Sequence, residues 1–281
     1  MTLSDSRRAR VNRRVTRLLI YAVLTAGAVI AVAPFVWMIL TSLKSYREVA
    51  TRAVLPATLR FSNYVEAWNT APFARYFANS LFVSICTVLG VLATSVLAAY
   101  AFSWLNFAGK GWVFTVFLAT MMIPGQILLI PNFLTVTRLG WVDTYWAQII
   151  PWIASVFNIF LLRQFFATIP KELYDAAVLD GCGHFRYLMQ VILPLCKPAL
   201  ITVGLNTFLG SWNALQWPLV VTRSESMRPV QVGLTYFLTE SGTDTQEMMA
   251  AAAMTIFPIV VIYFFAQKQF MEGISTSGLK G

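Results

Sequence analysis

Few side chains in this 281-residue chain are equipped for chemistry. The one histidine, His184, falls in a charged stretch between apolar runs, so it cannot act as an intramembrane base or proton relay. A solvated or interfacial polar role suits it. The three cysteines, Cys86, Cys182 and Cys196, show neither CxxC nor Cys/His metal spacing, which argues against a disulfide framework or a metal centre. No glycine-rich phosphate loop occurs, so any ATP must bind another chain. No catalytic residue, metal ligand or cofactor is therefore expected on this chain. The polar groups of interest are neutral: Gln126, Asn158, Asn206, Trp212, Asn213 and Gln216 lie within apolar runs. Amides hydrogen-bond hydroxyls, and an indole face packs against the C–H face of a sugar, so these six could line a solute path. Amides also hydrogen-bond between membrane helices, and on the sequence both uses stay open.

The elements that would position these groups are membrane spans. Hydrophobic residues make up 58% of the chain and charged residues 12%, against roughly 25% charged in ordinary soluble domains. Lipid must cover much of such a surface. The net charge of +9 could suggest nucleic acid, but six arginines (Arg7, Arg8, Arg10, Arg13, Arg14 and Arg17) precede the first apolar run, the layout of a cytoplasmic tail. A span needs about 20 largely apolar residues. Six uncharged windows qualify: Leu18–Leu43, Tyr76–Gly109, Gly111–Thr137, Thr144–Leu162, Pro198–Thr222 and Met248–Gln267. Their cores lie near 18–43, 80–104, 111–134, 144–163, 198–222 and 248–267. The first run is too long for a signal peptide and fits an uncleaved anchor. Pro124 and Pro131 are expected to bend or break the third span. The runs lack the in/out alternation of a barrel, so the fold class is an all-α membrane protein with six transmembrane helices. The domains are a basic tail, 1–17, and a transmembrane domain, 18–281.

With the N-terminus inside, inward-facing segments hold thirteen of the 21 Lys and Arg and five of the 12 acidic residues. The positive-inside rule favours that orientation, with both termini cytoplasmic. No Asp, Glu, Lys, Arg or His lies inside any window. Such groups cost roughly 2.5–3.5 kcal/mol at mid-membrane and persist mainly for function, so a proton- or ion-coupled carrier is disfavoured. The energy source is expected outside the membrane.

One loop, 165–197, carries a pattern. Pro170 suits the first turn of a helix, and Glu172 and Asp175 put negative charge near its positive end. Leu173, Ala176, Ala177 and Asp180 share a face, with two alanines permitting close approach of another backbone. Gly181 permits a left-handed stop. A second helix is expected to bury a stripe of Phe185, Leu188, Met189 and Ile192. Physically this is a helical hairpin, which could simply stabilise the bundle.

The segment Asp175-Ala176-Ala177, then Gly181, then Ile192-Leu193-Pro194 closely resembles the EAA loop of binding-protein-dependent ABC importer permeases, with Asp for the usual Glu and Cys182 where a small residue is usual. Further matches resemble the carbohydrate (maltose-type) subfamily. They are Asn63-Tyr64 with Trp68, Asn79-Ser80, Ile123-Pro-Gly-Gln126 with Ile130-Pro131, Leu139-Gly140 with Thr144-Tyr145, Trp212-Asn213, and the Gly278–Gly281 ending. The resemblance covers about residues 60–281. It implies a type I ABC importer permease in a bacterial inner membrane. Such a permease pairs with a second homologous permease and two copies of a cytoplasmic ABC ATPase, which carry ATP and Mg. An extracytoplasmic binding protein delivers a sugar or sugar-like solute. It also implies that Glu172, Leu173, Asp175, Ala176, Ala177, Asp180 and Gly181 dock the ATPase, with Phe185 supporting them. The alternatives are an ATP-independent secondary transporter, a membrane enzyme and a scaffold. The enzyme lacks Ser–His or paired carboxylates in its spans.

Overall fold

In the computed structural model, residues 3–239 and 242–277 are described. The helices in chain order are α1 (Leu3–Ser42), α2 (Tyr46–Ala50), α3 (Ser62–Thr70), α4 (Phe73–Trp104), α5 (Lys110–Thr120), α6 (Leu129–Arg138), α7 (Tyr145–Ile149), α8 (Val156–Phe166), α9 (Lys171–Leu179), α10 (His184–Tyr187), α11 (Leu193–Leu195), α12 (Lys197–Trp212), α13 (Gln216–Val221), α14 (Val230–Gly233) and α15 (Thr245–Ser277). A π-wound stretch, Leu188–Ile192, joins α10 to α11. Two strands of two residues each, β1 (Leu238–Thr239) and β2 (Gly242–Thr243), pair antiparallel.

Among the described residues, three helices are long and apolar enough to cross a membrane alone, over Thr16–Ser42, Phe73–Trp104 and Thr245–Phe265. Three bent pairs supply the other candidate spans. In the first pair, α5 and the stretch Gly125–Arg138 meet at 86°. The helix stops before Pro124, which is extended (ψ 128°) and has no N–H to donate. Pro131 sits in the first turn of α6, where a proline disturbs nothing. The second pair bends by 44° between Tyr145–Trp152 and α8, a break that composition did not suggest. The fifth window, expected as one run over 198–222, is two helices: α12 ends at Trp212 and α13 begins at Gln216. A window bounded only by charges cannot register the cap at Asn213. The expected basic tail, 1–17, is a helical extension of the first span from Leu3 onward. The side chains of Arg7, Arg8, Arg10 and Arg13, and the Gly278–Gly281 ending, lie outside the described residues.

The chain forms two compact units. One gathers the chain up to Trp68 with Phe237–Met254. Here Asn63 Nδ2 donates to the carbonyls of Ser42 and Lys44, both at 2.8 Å, satisfying acceptors just past the end of α1. Tyr64 OH shares a hydrogen bond with Ser42 Oγ, and Lys44 Nζ lies 4.3 Å over the Trp37 ring. Ser45 and Glu48 form a capping box on α2.

The other unit gathers Asn69–Tyr236 and the chain from Thr255 on. Its centre is α4, which packs against α8 and α12 around Val91, Ala99, Leu162, Phe166, Ile192, Ala199 and Val203. Gly90 lets the chain at Ile153 close on α4: a Cβ there would lie 2.7 Å from Ile153 Cγ2. Thr94 Oγ1 donates to the Ile153 carbonyl at 2.6 Å, so the break before α8 rests on α4. At the other end, Lys110 Nζ donates to the carbonyls of Ser103 and Leu105, and Arg163 Nε to that of Phe102. These cations complement the partial negative charge where α4 ends.

Candidate functional site

The loop after α8 is a short helix that the chain barely covers. Pro170 precedes α9 and Glu172 lies in its first turn. At the far end Gly181 takes φ +74°. The Cys182 N–H donates to Ala177 O and the Gly181 N–H to Val178 O, the paired bonds of a Schellman stop. No residue of α9 is buried. Tyr174 and Ala177 face the core, while Leu173, Asp175, Ala176 and Asp180 are exposed and Leu179 is 89% exposed. An isolated nine-residue helix is unstable in water, so its Schellman stop and two core contacts must hold it in shape.

The second half of the loop differs from expectation. Leu188 and Ile192 are buried, but Phe185 is 71% and Met189 49% exposed. Tyr187 is buried instead. The π-winding over Leu188–Ile192 shifts the helical period that the stripe assumed. Phe185 therefore lies on the outer surface of this chain.

The six polar residues of the spans separate into two sets. Asn158 is buried and its Nδ2 donates to Thr207 Oγ1 at 3.2 Å, a bond between α8 and α12. Trp212 is buried too. Its Nε1 donates to the Thr255 carbonyl, and its ring stacks on Phe208 and meets Phe77 edge-on. Within this chain these two side chains pack between helices, and Asn158 Oδ1 has no hydrogen-bond partner. Gln126, Asn206, Asn213 and Gln216 are exposed. Asn206 on α12 and Asn213, the residue that caps it, stand seven residues apart with Gly210 open between them, so one side of this helix and its end present amides. Asn213 Oδ1 accepts from Gln231 Nε2 at 3.2 Å.

Residues 87–274 match the family described as binding-protein-dependent transport system inner membrane component. The chain belongs to this family. The permease is 36% identical over 259 residues to the arabinooligosaccharides transport system permease protein AraQ of Halalkalibacterium halodurans, covering 90% of this chain and 93% of that one. It is 30% identical to the sn-glycerol-3-phosphate transport system permease protein UgpE of Yersinia pestis, covering 95% and 98%. Among solved structures it resembles a chain of a bacterial ABC transporter involved in the import of the acidic polysaccharide alginate. There the identity is 28% and the TM-score 0.80, covering 95% of this chain and 98% of that one. It is thus a membrane permease subunit and not an enzyme.

In the permease, several polar residues clasp one loop in a way that spacing did not reveal. Asn79 Nδ2 donates to the carbonyls of Ser226 and Arg228, while Asn79 Oδ1 accepts from Tyr145 OH. Ser80 Oγ accepts the Val230 N–H, and Gln148 Nε2 donates to Met227 O. Asp143, at φ +64°, accepts the backbone N–H groups of Arg223 and Ser224 on Oδ1, at 2.9 and 3.0 Å. Burial works against the Asp143 charge, but these donors and the Ser224 side chain outweigh it and hold its carboxyl below the ordinary range. The sequence signals for this clasp were the Asn79-Ser80 and Thr144-Tyr145 pairs. His184, read as an interfacial polar residue, places Nδ1 2.9 Å from Tyr100 OH.

Proposed function

We propose that this permease and a second homologous permease form the path for a sugar or sugar-like solute delivered by an extracytoplasmic binding protein. Two copies of a cytoplasmic ABC ATPase, holding ATP and Mg, drive the cycle. One of them receives the segment Glu172–Gly181. The observation that carries this is the exposure of α9: a capped helix with no buried residue, presenting Leu173, Ala176 and Leu179 to a partner. An apolar surface of that kind marks an interaction site. The excess of Lys and Arg on the inward segments supports a cytoplasmic location for both termini. The relatives include a permease of an arabinooligosaccharide transport system, and the structural neighbour belongs to a transporter involved in alginate import, which supports a carbohydrate solute. The amide face of α12 offers hydrogen bonds suited to hydroxyls. A secondary transporter is not favoured, because the family depends on a binding protein.

Leu179 supplies the test. Its side chain is 89% exposed, so Leu179→Asp should leave the fold and membrane insertion intact. With both permeases, the ATPase and the binding protein co-expressed, the variant should lose ATPase in pull-down and lose uptake of labelled oligosaccharide into proteoliposomes. Retention of two ATPase copies with parental uptake would sink the docking assignment.

A further inference from the structure

The underside of the 171–195 segment meets α4 and α8 across an apolar contact built from Tyr174, Ala177, Tyr187, Leu188 and Ile192 against Val96, Ala99, Tyr100, Leu162 and Phe166. Apolar contacts resist separation but are not directional. One directed bond crosses this surface. His184 Nδ1 and Tyr100 OH lie 2.9 Å apart, and among the described residues no other side-chain hydrogen bond joins the segment to α4. Tyr100 is nearly buried, at 5% exposure, so its hydroxyl has no ready exchange with water. The imidazole is fixed from the other side. The Tyr174 ring of α9 stacks on it with centroids 5.7 Å apart and planes 20° apart. Tyr174 in turn packs on Trp104 and Tyr187 at 5.5 and 5.1 Å. A continuous path therefore runs from α9 through Tyr174 and His184 into Tyr100 on α4. The same cluster contains two buried groups with no hydrogen-bond partner, Trp104 Nε1 and Tyr187 OH. Buried polar groups are normally satisfied, so this cluster has unmet donors that a different seating of α10 on α4 can use.

We propose that His184 and Tyr100 are positioning residues for energy coupling: their hydrogen bond makes α4 follow the docking segment when an ATPase moves it. Neither residue touches solute or nucleotide. The inference rests on the proposed docking of Glu172–Gly181, and the two can fail separately. If docking is wrong, Leu179→Asp keeps its ATPase; if only the link is wrong, docking survives and the coupling ratios do not change.

The experiment uses the complete complex, with both permeases, the ATPase and the binding protein, in proteoliposomes. Three quantities are read: ATPase copies per complex, the stimulation of ATP hydrolysis by loaded binding protein, and labelled oligosaccharide imported per ATP hydrolysed. Tyr100→Phe keeps the ring and deletes the hydroxyl. It should retain two ATPase copies and basal hydrolysis, while stimulation and import per ATP each fall at least about fivefold, the lower end of ordinary coupling energies. His184→Ala should match it, and the double variant should be no worse than either single one. His184→Gln, whose amide can reach the hydroxyl, should recover at least half of the parental ratios. The proposal is overturned if Tyr100→Phe keeps both ratios within about twofold of the parent, or if it sheds the ATPase. It is overturned equally if His184→Gln is as defective as His184→Ala, which would assign the effect to ring packing alone.

Discussion

At Gly181 the backbone takes φ +74°, and no atom of the chain lies within 4 Å of where a Cβ would sit. A larger residue there meets dihedral strain, not collision, of roughly 1–2 kcal/mol for Ala and less for Asn. Gly181→Ala should speed protease nicking across residues 180–183, and Gly181→Asn should behave close to the parent. Gly181→Asp adds charge beside α9, so it should insert normally yet bind less ATPase in pull-down. Asp143 gives a pH-dependent case. Its carboxyl is held below the usual range, so its support for the clasp is complete above the ordinary carboxylate value of about 3.9. That support is lost as pH falls through the lower folded value. Exchange protection of the Arg223 and Ser224 amides should hold from neutral pH down to about 4 and decline below it. Asp143→Ala should remove the protection at every pH.

Elements differed in how plainly composition announced them. The start and stop of α9 could be read directly, because Pro170 and Gly181 have few alternative uses in a helix-forming stretch. The break at Pro124 was equally plain. The bend at residues 153–155 was hidden, since it depends on Gly90 and Thr94, more than fifty residues away. The π-winding after Tyr187 was hidden as well: no residue type marks it, and it moved Phe185 and Met189 off the buried face. The family-like pairs Asn63-Tyr64 and Asn79-Ser80 were visible as a pattern, but their work as clasps of carbonyls distant in sequence was not. The approach of Ile153 to Gly90 yields a packing prediction. Gly90→Ala should destabilise the second unit by about 1–3 kcal/mol through overpacking, read as a lower unfolding midpoint in nanodiscs. Adding Ile153→Ala should restore part of the loss, and no recovery would place the strain elsewhere.

For the whole molecule, the number and apolarity of the spans were legible, because they are bulk properties of long windows. The shape of α9 was legible, but the exposure of the amides was not: burial separates Asn158 and Trp212 from Asn206 and Asn213, and the sequence does not carry burial. None of the most apolar window of α1, within Thr16–Ser42, is buried by this chain. Expressed without a second permease, the protein should run as a polydisperse species in size-exclusion chromatography and import nothing. Co-expression should give a single peak and restore uptake. The uncovered α9 has a consequence for the cell as well. A permease copy that finds no ATPase leaves Leu179 and its neighbours open to solvent, the kind of surface that chaperones and proteases survey. If α9 docks an ATPase as proposed, surplus copies should be degraded faster than assembled ones, read by pulse-chase with and without the ATPase, and the abundance of the complex should then follow its scarcest subunit.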